Sequence, residues 1–103
     1  MTRSDIHPGL QAAQAAHAAF QFSVEHPEAM SAWYSGSNYL ILLNVPDEDA
    51  LLGWADIAFK EGVEYSLVYE PDIDGHTSIA IAPSHLSAKL ASLPLQGKEM
   101  AYT

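Results

Sequence analysis

Residues 38–69, NYLILLNVPDEDALLGWADIAFKEGVEYSLVY, hold two strand patterns on either side of a helix pattern. Residues 38–45 are apolar almost throughout, which is typical of a strand covered on both faces. Residues 46–61 begin with a proline and three acids, which the positive end of the helix dipole favours, and Gly62 supplies a stop. Residues 63–69 form the second strand. Such a unit is expected to be a right-handed parallel crossover.

Two further helices are predicted on the amino-terminal side of this unit. Residues 9–24 are rich in alanine, the strongest helix former. Residues 27–35 begin with a proline, which suits the first turn of a helix. In the first of these helices, residues at steps of three and four predict one buried stripe. It consists of Leu10, Ala13, His17, Phe20 and Val24.

The carboxyl-terminal side adds a third strand. Residues 77–82 alternate in polarity, and the Pro-Ser pair that follows them opens a last helix over 83–92. Residues 94–103 are expected to be a loose tail, and residues 1–8 are short and polar. The sequence therefore predicts one α/β domain with at least three strands.

Composition limits the chemistry that this domain can perform. The chain has 103 residues and no cysteine, which excludes disulfides, thiolate zinc sites, iron–sulfur clusters and cysteine nucleophiles. Asp72, His76 and His85 lack a close histidine pair, so no metal is predicted. There is neither a signal-peptide pattern nor an apolar run of about 18 residues, so a soluble cytoplasmic protein without membrane contact is expected.

The charge of the chain argues against general nucleic-acid binding. Thirteen acids against four basic residues give a formal net charge of −9. Affinity for nucleic acid comes largely from lysine and arginine on phosphates, and only Arg3, Lys60, Lys89 and Lys98 are available. Binding that is independent of nucleic-acid sequence is therefore not expected.

A family resemblance covers residues 5–93. Ala-Ala-Gln-Ala-Ala-His-Ala at 12–18 resembles the Ala-Ala-Gln-x-x-His-Ala signature of the second class of peptidyl-tRNA hydrolases, the archaeal and eukaryotic class. Three segments follow in that family's order: Val-Pro-Asp-Glu at 45–48, Glu-Pro-Asp at 70–72, and Ile-Ala-Ile-Ala-Pro at 79–83.

The resemblance implies a fold and an activity. The fold is a single domain over residues 1–93, with a mixed sheet of three to four strands and helices on both faces. The activity is cleavage of the ester between a stalled peptide and its tRNA, with no metal or organic cofactor. The substrate is then peptidyl-tRNA or a small acyl ester.

Five residues are candidates for the site. His17, Asp72 and Thr77 are the candidate catalytic residues, with Asp72 activating water and Thr77 donating to the ester carbonyl. Gln14 and Asp74 are the candidate substrate contacts. Each has a simpler alternative: His17 as a core residue with one hydrogen bond, Gln14 as a polar residue at the edge of the stripe. For Thr77 the alternative is the start of a strand, and for Asp74 it is a solvated turn.

The chain also departs from the family pattern. Leu10 stands where the family has a lysine tied to catalysis, and a leucine cannot stabilise a developing oxyanion. The family's first strand is missing ahead of Asp5. Whether the chain is an enzyme therefore stays open.

Two functions follow from these departures. One is an aminoacyl or peptidyl ester hydrolase with a degraded site. The other is a catalytically silent, acidic binding module that keeps the fold and takes a protein partner. A sheet that lacks its first strand exposes backbone groups, so a homodimer or strand exchange with another chain is expected; a first strand encoded upstream is a third alternative.

Overall fold

A computed structural model describes residues 1–96 as four strands and four helices. In chain order the elements are β1 (Thr2–Arg3), α1 (Pro8–Glu25), α2 (Pro27–Ser35), β2 (Asn44–Val45), α3 (Glu48–Lys60), β3 (Tyr65–Glu70), β4 (Gly75–Ile81) and α4 (Ser87–Leu90). The strands form one sheet in the order β2-β1-β4-β3. β1 is parallel to β2, and β4 is antiparallel to both β1 and β3. The sheet is therefore mixed, as the resemblance implies.

Helices α1 and α3 cover opposite faces of this sheet. The Ser78 hydroxyl on β4 donates to the backbone carbonyl of Gln14 on α1. The next residue, Ile79, packs against Leu51 and Ala55 of α3 in the hydrophobic core. Because successive residues of a strand point to opposite faces, the two helices lie on the two sides, which confirms the α/β prediction.

Helix α3 begins and ends where the sequence indicates. The Asp47 carboxylate accepts a hydrogen bond of 2.9 Å from the Ala50 N–H and caps the first turn. At the other end Gly62 has a φ of +70°, the left-handed conformation that glycine adopts without steric cost. β2 and β3, on either side of the helix, are parallel but not adjacent, since β1 and β4 lie between them.

The predicted buried strand over 38–45 is wrong in extent. Only Asn44–Val45 pairs as a strand, and the side chains of Tyr39, Leu40 and Ile41 are 79%, 66% and 65% exposed. The physical reason is the length of its neighbour. Since β1 has two residues, it can pair only with the last two residues of the apolar run.

The expectation of a missing first strand is also wrong. Thr2 is fully buried and is paired with Asn44 of β2 on one side and Ser78 of β4 on the other. A strand of two residues is too short to show an alternating pattern, so periodicity does not reveal it.

The buried face of α1 is not the predicted stripe. The buried residues are Gln11, Gln14, Ala18 and Phe22, whereas His17 is exposed and Phe20 and Val24 are 73% and 80% exposed. The reason lies in hydrogen bonding. The Gln11 amide donates to the Ile6 carbonyl at 2.8 Å, and a buried amide with partners no longer carries a desolvation penalty.

The carboxyl-terminal part is less helical than expected. The predicted helix over 83–92 contracts to α4, Ser87–Leu90. Residues 94–96 of the predicted loose tail lie along the outer edge of β2, where the Asn44 N–H donates to Pro94 and the Gln96 N–H donates to Leu42. The rest of that tail lies outside the described residues. No helix within 1–96 is long and apolar enough to span a membrane.

Candidate functional site

Two clusters of polar residues lie at one edge of the sheet, which is formed by the ends of the strands and not by an outer strand. β1 and β3 end at this edge, β4 begins there, and α1 and α3 both start close to it. Open α/β sheets bind ligands outside the carboxyl ends of their strands. The sequence places Asp72 and Asp74 in the loop at this edge, and the fold agrees with that position.

A β-bulge in β4 turns Thr77 toward α1. Val68 pairs with Ser78 and Tyr69 pairs with His76, so Thr77 has no partner in the register. An extra residue of this kind re-aims a side chain. The hydroxyls of Thr77 and Ser78 consequently both reach α1, where Thr77 donates to Gln14 Oε1 at 2.6 Å and Ser78 donates to the Gln14 carbonyl at 2.8 Å.

Gln14 links this hydroxyl to a carboxylate. Its Nε2 donates to Glu70 Oε2 at 3.3 Å, while its Oε1 accepts from Thr77. The other carboxylate oxygen, Glu70 Oε1, accepts from the Asp72 N–H at 3.3 Å. Thr77 is fully buried and Gln14 is 5% exposed, whereas Glu70 is half-buried. The result is a fixed line of hydroxyl, amide and carboxylate that ends at the surface.

The structure brings Gln14 and Thr77 together but leaves the other candidates apart from them. Asp72 is exposed and contributes its backbone N–H to the cluster. Asp74 has a φ of +54° and accepts a hydrogen bond from the Tyr69 hydroxyl, so it shapes the turn before β4. His17 lies one turn after Gln14 on the exposed side of α1.

Glu70, which the sequence does not single out, is the carboxylate that the structure places against Gln14. It is the first acid of Glu-Pro-Asp at 70–72, whereas the sequence favours Asp72 of the same motif as the base. The signal that could have identified Glu70 is its position directly after the predicted strand over 63–69. Glu70 is the last residue of β3, so its backbone is fixed by the sheet, whereas Asp72 follows a proline in the loop.

A second polar cluster lies beside the first, on the α3 side of the same edge. The His76 N–H donates to Glu48 Oε2 at 2.6 Å, and His76 Nδ1 is 3.3 Å from the same oxygen. Arg3 donates to the His76 carbonyl at 3.2 Å and forms a two-bond ion pair with Asp5. A Cβ on Gly75 would lie 3.0 Å from Glu48 Oε2, so only glycine fits this approach without displacing the carboxylate.

This second cluster predicts a loss of stability in acid. The backbone N–H of His76 lowers the pKa of Glu48, and the side-chain hydrogen bonds of Arg3 lower the pKa of Asp5. Between the ordinary carboxyl pKa and the lowered pKa of the folded state, the unfolded chain therefore binds more protons than the folded chain. We expect the free energy of unfolding to fall as the pH drops from about 5 to about 3. Urea unfolding of the wild type and of Glu48→Gln at several pH values measures it. A Glu48→Gln variant with an undiminished acid slope contradicts this assignment.

Within residues 1–96, the lysines do not assemble a phosphate site around α1. Lys60 is at the end of α3, on the opposite face of the sheet from His17, and it pairs with an aspartate one turn earlier. Lys89 is on α4, after the carboxyl end of β4 and so at the far edge of the sheet. Lys98 lies outside the described residues. Leu10, in the first turns of α1, brings no charge.

Metal binding finds no support in the described part of the chain. No group of three histidine, aspartate or glutamate side chains within 1–96 is arranged to hold an ion. His76 contacts Glu48, and His85 contacts Glu61 at 3.3 Å, on separate parts of the fold.

Comparison with known protein families identifies a family for this chain. A family model described as peptidyl-tRNA hydrolase PTH2 matches residues 2–93. No curated protein matches the chain at a significant level. The matched range runs from β1 through α4, so it includes the whole sheet and both polar clusters at the carboxyl edge.

Proposed function

This chain belongs to the peptidyl-tRNA hydrolase PTH2 family, and from that premise we propose that it is a slow ester hydrolase acting on aminoacyl or peptidyl esters. The observation that carries the proposal is the hydrogen bond between Gln14 and Glu70. It holds a half-buried carboxylate at the edge of the sheet where α/β folds bind ligands.

In this proposal Glu70 is the general base. Its carboxylate takes a proton from a water molecule while the water oxygen bonds to the ester carbonyl carbon. The bond between that carbon and the alcohol oxygen then breaks, and the alcohol oxygen takes up the proton. Gln14 is a positioning residue, because it fixes Glu70 through its amide. His17, which is exposed on α1 one turn after Gln14, contacts the departing nucleoside. Asp74 holds the turn before β4.

The substrate we propose is a short acyl ester, such as a peptidyl or aminoacyl nucleoside. A whole tRNA brings a chain of phosphates, and proteins bind phosphates mainly through lysine and arginine. Arg3 is engaged by Asp5, and Lys60 and Lys89 lie away from α1. The net charge of −9 further disfavours a polyanion.

Restoring a cation at Leu10 should raise the activity on tRNA esters. We expect Leu10→Lys to hydrolyse a model peptidyl-tRNA at least about tenfold faster than the wild type, because loss of a single stabilising donor typically costs about 10²–10³ in rate. Release of labelled peptide from peptidyl-tRNA and from peptidyl-adenosine measures both substrates.

The matched control is Phe59→Lys, which adds the same charge at a position that is 73% exposed and lies on α3, across the sheet from α1. Equal gains in the two variants would mean that general charge, and not a cation at the site, produces the effect. Absence of turnover in both the wild type and Leu10→Lys, on either ester, contradicts the hydrolase proposal.

A silent binding module is the second candidate, and one observation favours it. The Thr77 hydroxyl already donates to the Gln14 amide oxygen in a buried position, so this hydroxyl is not free to donate to an ester carbonyl. The acidic surface would then serve a basic partner. Turnover by Leu10→Lys but not by the wild type is the result expected for this candidate.

A further inference from the structure

His26 joins α1 to α2 and contacts the start of β3. It follows the last residue of α1 and precedes the first residue of α2. Its ring Nε2 lies 2.9 Å from the backbone carbonyl oxygen of Tyr65, the first residue of β3, and its Nδ1 lies 2.8 Å from Glu64 Oε2. The ring also packs on Phe22 of α1, with the two ring centroids 4.9 Å apart. One side chain therefore connects the junction of two helices to a strand.

Both ring nitrogens of His26 face atoms that can only accept a hydrogen bond. A backbone carbonyl and an ionised carboxylate have no proton to donate, and a neutral imidazole carries a proton on one of its two nitrogens. The two contacts can therefore form together only when the ring is an imidazolium. The geometry of the junction corresponds to a charged His26, and a neutral ring loses one of the two hydrogen bonds.

The charges around this junction are acidic. Glu25 ends α1, Glu28 lies in the first turn of α2, and Glu64 accepts from the ring itself. Lys60, four residues before Glu64, pairs with an aspartate on its own helix. The side chain of Tyr65 packs in the core on the α3 side of the sheet, so its contribution to the junction is its carbonyl. A positively charged imidazole is the complementary group for these surroundings.

The contact made by His26 is the last of three hydrogen bonds between α1 and β3. The partners, from the candidate site outward, are Gln14 with Glu70, Gln21 with Leu67, and His26 with Tyr65. Twelve residues of a helix rise about 18 Å and five residues of a strand span about 17 Å, so the two lengths match. Of the three side chains that α1 and its junction contribute, the histidine alone changes its charge near neutral pH.

Helix α2 is the element that depends most on this contact. Among the elements within residues 1–96, α2 packs on α1 alone, and it has no buried residue. Its first hydrogen bond runs from the Met30 N–H to the His26 carbonyl at 3.0 Å. Segments with few buried contacts are the first to open in a native protein. The stability of α2 therefore depends on how firmly His26 is held.

We propose that His26 is a pH-sensitive switch. Its charged ring fastens the α1–α2 junction to β3, and loss of the ring proton releases one of the two contacts and loosens α2. Because the closed junction holds a proton that the open junction does not need, a rise in pH favours the open state. The change falls between about pH 5 and about pH 8, where histidine loses its charge. The inference does not depend on ester hydrolysis.

Amide hydrogen exchange over residues 27–35, measured at about pH 5.5 and about pH 8 and corrected for the intrinsic chemical rate, reports the opening of α2. We expect the protection in the wild type to be at least about fivefold lower at the higher pH, since a hydrogen bond to a charged group is usually worth about tenfold in an equilibrium constant. His26→Phe keeps a ring against Phe22 but cannot donate, so it should have the lower protection at both pH values. Glu64→Gln should keep the higher protection at both, because its amide can donate to a neutral Nδ1 while Nε2 donates to Tyr65.

The matched control is His85→Phe. His85 lies 3.3 Å from Glu61 in a second, exposed histidine–glutamate pair on another part of the fold, so this variant should keep the wild-type change with pH. Equal protection of the wild type at both pH values overturns the inference, as does a change with pH that persists in His26→Phe or Glu64→Gln. Low protection of Glu64→Gln at both values overturns it too, because the count of donors would not then control the contact. Loss of the change in His85→Phe would assign the switch to another histidine.

Discussion

Replacing Glu70 with glutamine is expected to lower the hydrolysis of peptidyl-adenosine by at least about 10²-fold, the usual contribution of a well-placed general base. The substitution keeps the size of the side chain and removes its ability to take a proton from water. The value of kcat should fall with little change in KM, because the carboxylate acts on water and not on the bound ester.

Asp72→Asn is the comparison that separates the structural assignment from the one drawn from sequence. Asp72 is exposed and contributes a backbone N–H to Glu70, so its replacement should change kcat by less than about threefold on the scale of surface substitutions. A large loss in Asp72→Asn with full activity in Glu70→Gln would return the role of base to Asp72. Circular dichroism of both variants checks that the fold is intact.

Leu51→Ala is expected to reduce the free energy of unfolding by about 2–5 kcal/mol, since it removes a fully buried side chain from the core and leaves a cavity. Urea unfolding, monitored by fluorescence, gives the difference. For a domain of this size a loss of that magnitude is a large share of the total stability.

Leu40→Ala is the control with the same chemistry and the opposite burial. Leu40 is 66% exposed, so we expect a change within about 0.5 kcal/mol. Similar losses for the two variants would show that residues 39–42 are buried in solution, as the sequence pattern predicted.

The sequence predicts the central unit well because its signals are local. A run of acids with a capping aspartate marks the start of α3, and a glycine at positive φ marks its end. Both features depend on residues within a few positions of each other. The order of the motifs also indicates the family whose model matches residues 2–93.

The failures have a different physical origin, since each concerns contacts distant in sequence. Gln14 stands only at the edge of the predicted stripe, but it is buried because Thr77, 63 residues later, satisfies its amide oxygen. Phe20 looks buried by its spacing, yet it is exposed because the sheet lies on the other side of α1. The pairing of Thr2 with Ser78 likewise has no local signature. Periodicity shows that a helix has faces, whereas the tertiary fold selects which one is covered.

Thr77, the extra residue in β4, lies between the loop that precedes this strand and the core that the rest of the strand helps to form. Changes in the loop therefore need not alter the core. From Ser78 onward the strand keeps its register with β3, so Ile79 stays seated against α3 whatever precedes Thr77. A relative could lengthen or shorten the turn between Glu70 and Gly75, and alter what it recognises, without moving a single core side chain. The β-bulge therefore allows the loop to change in length while the packing of β4 against α3 stays the same.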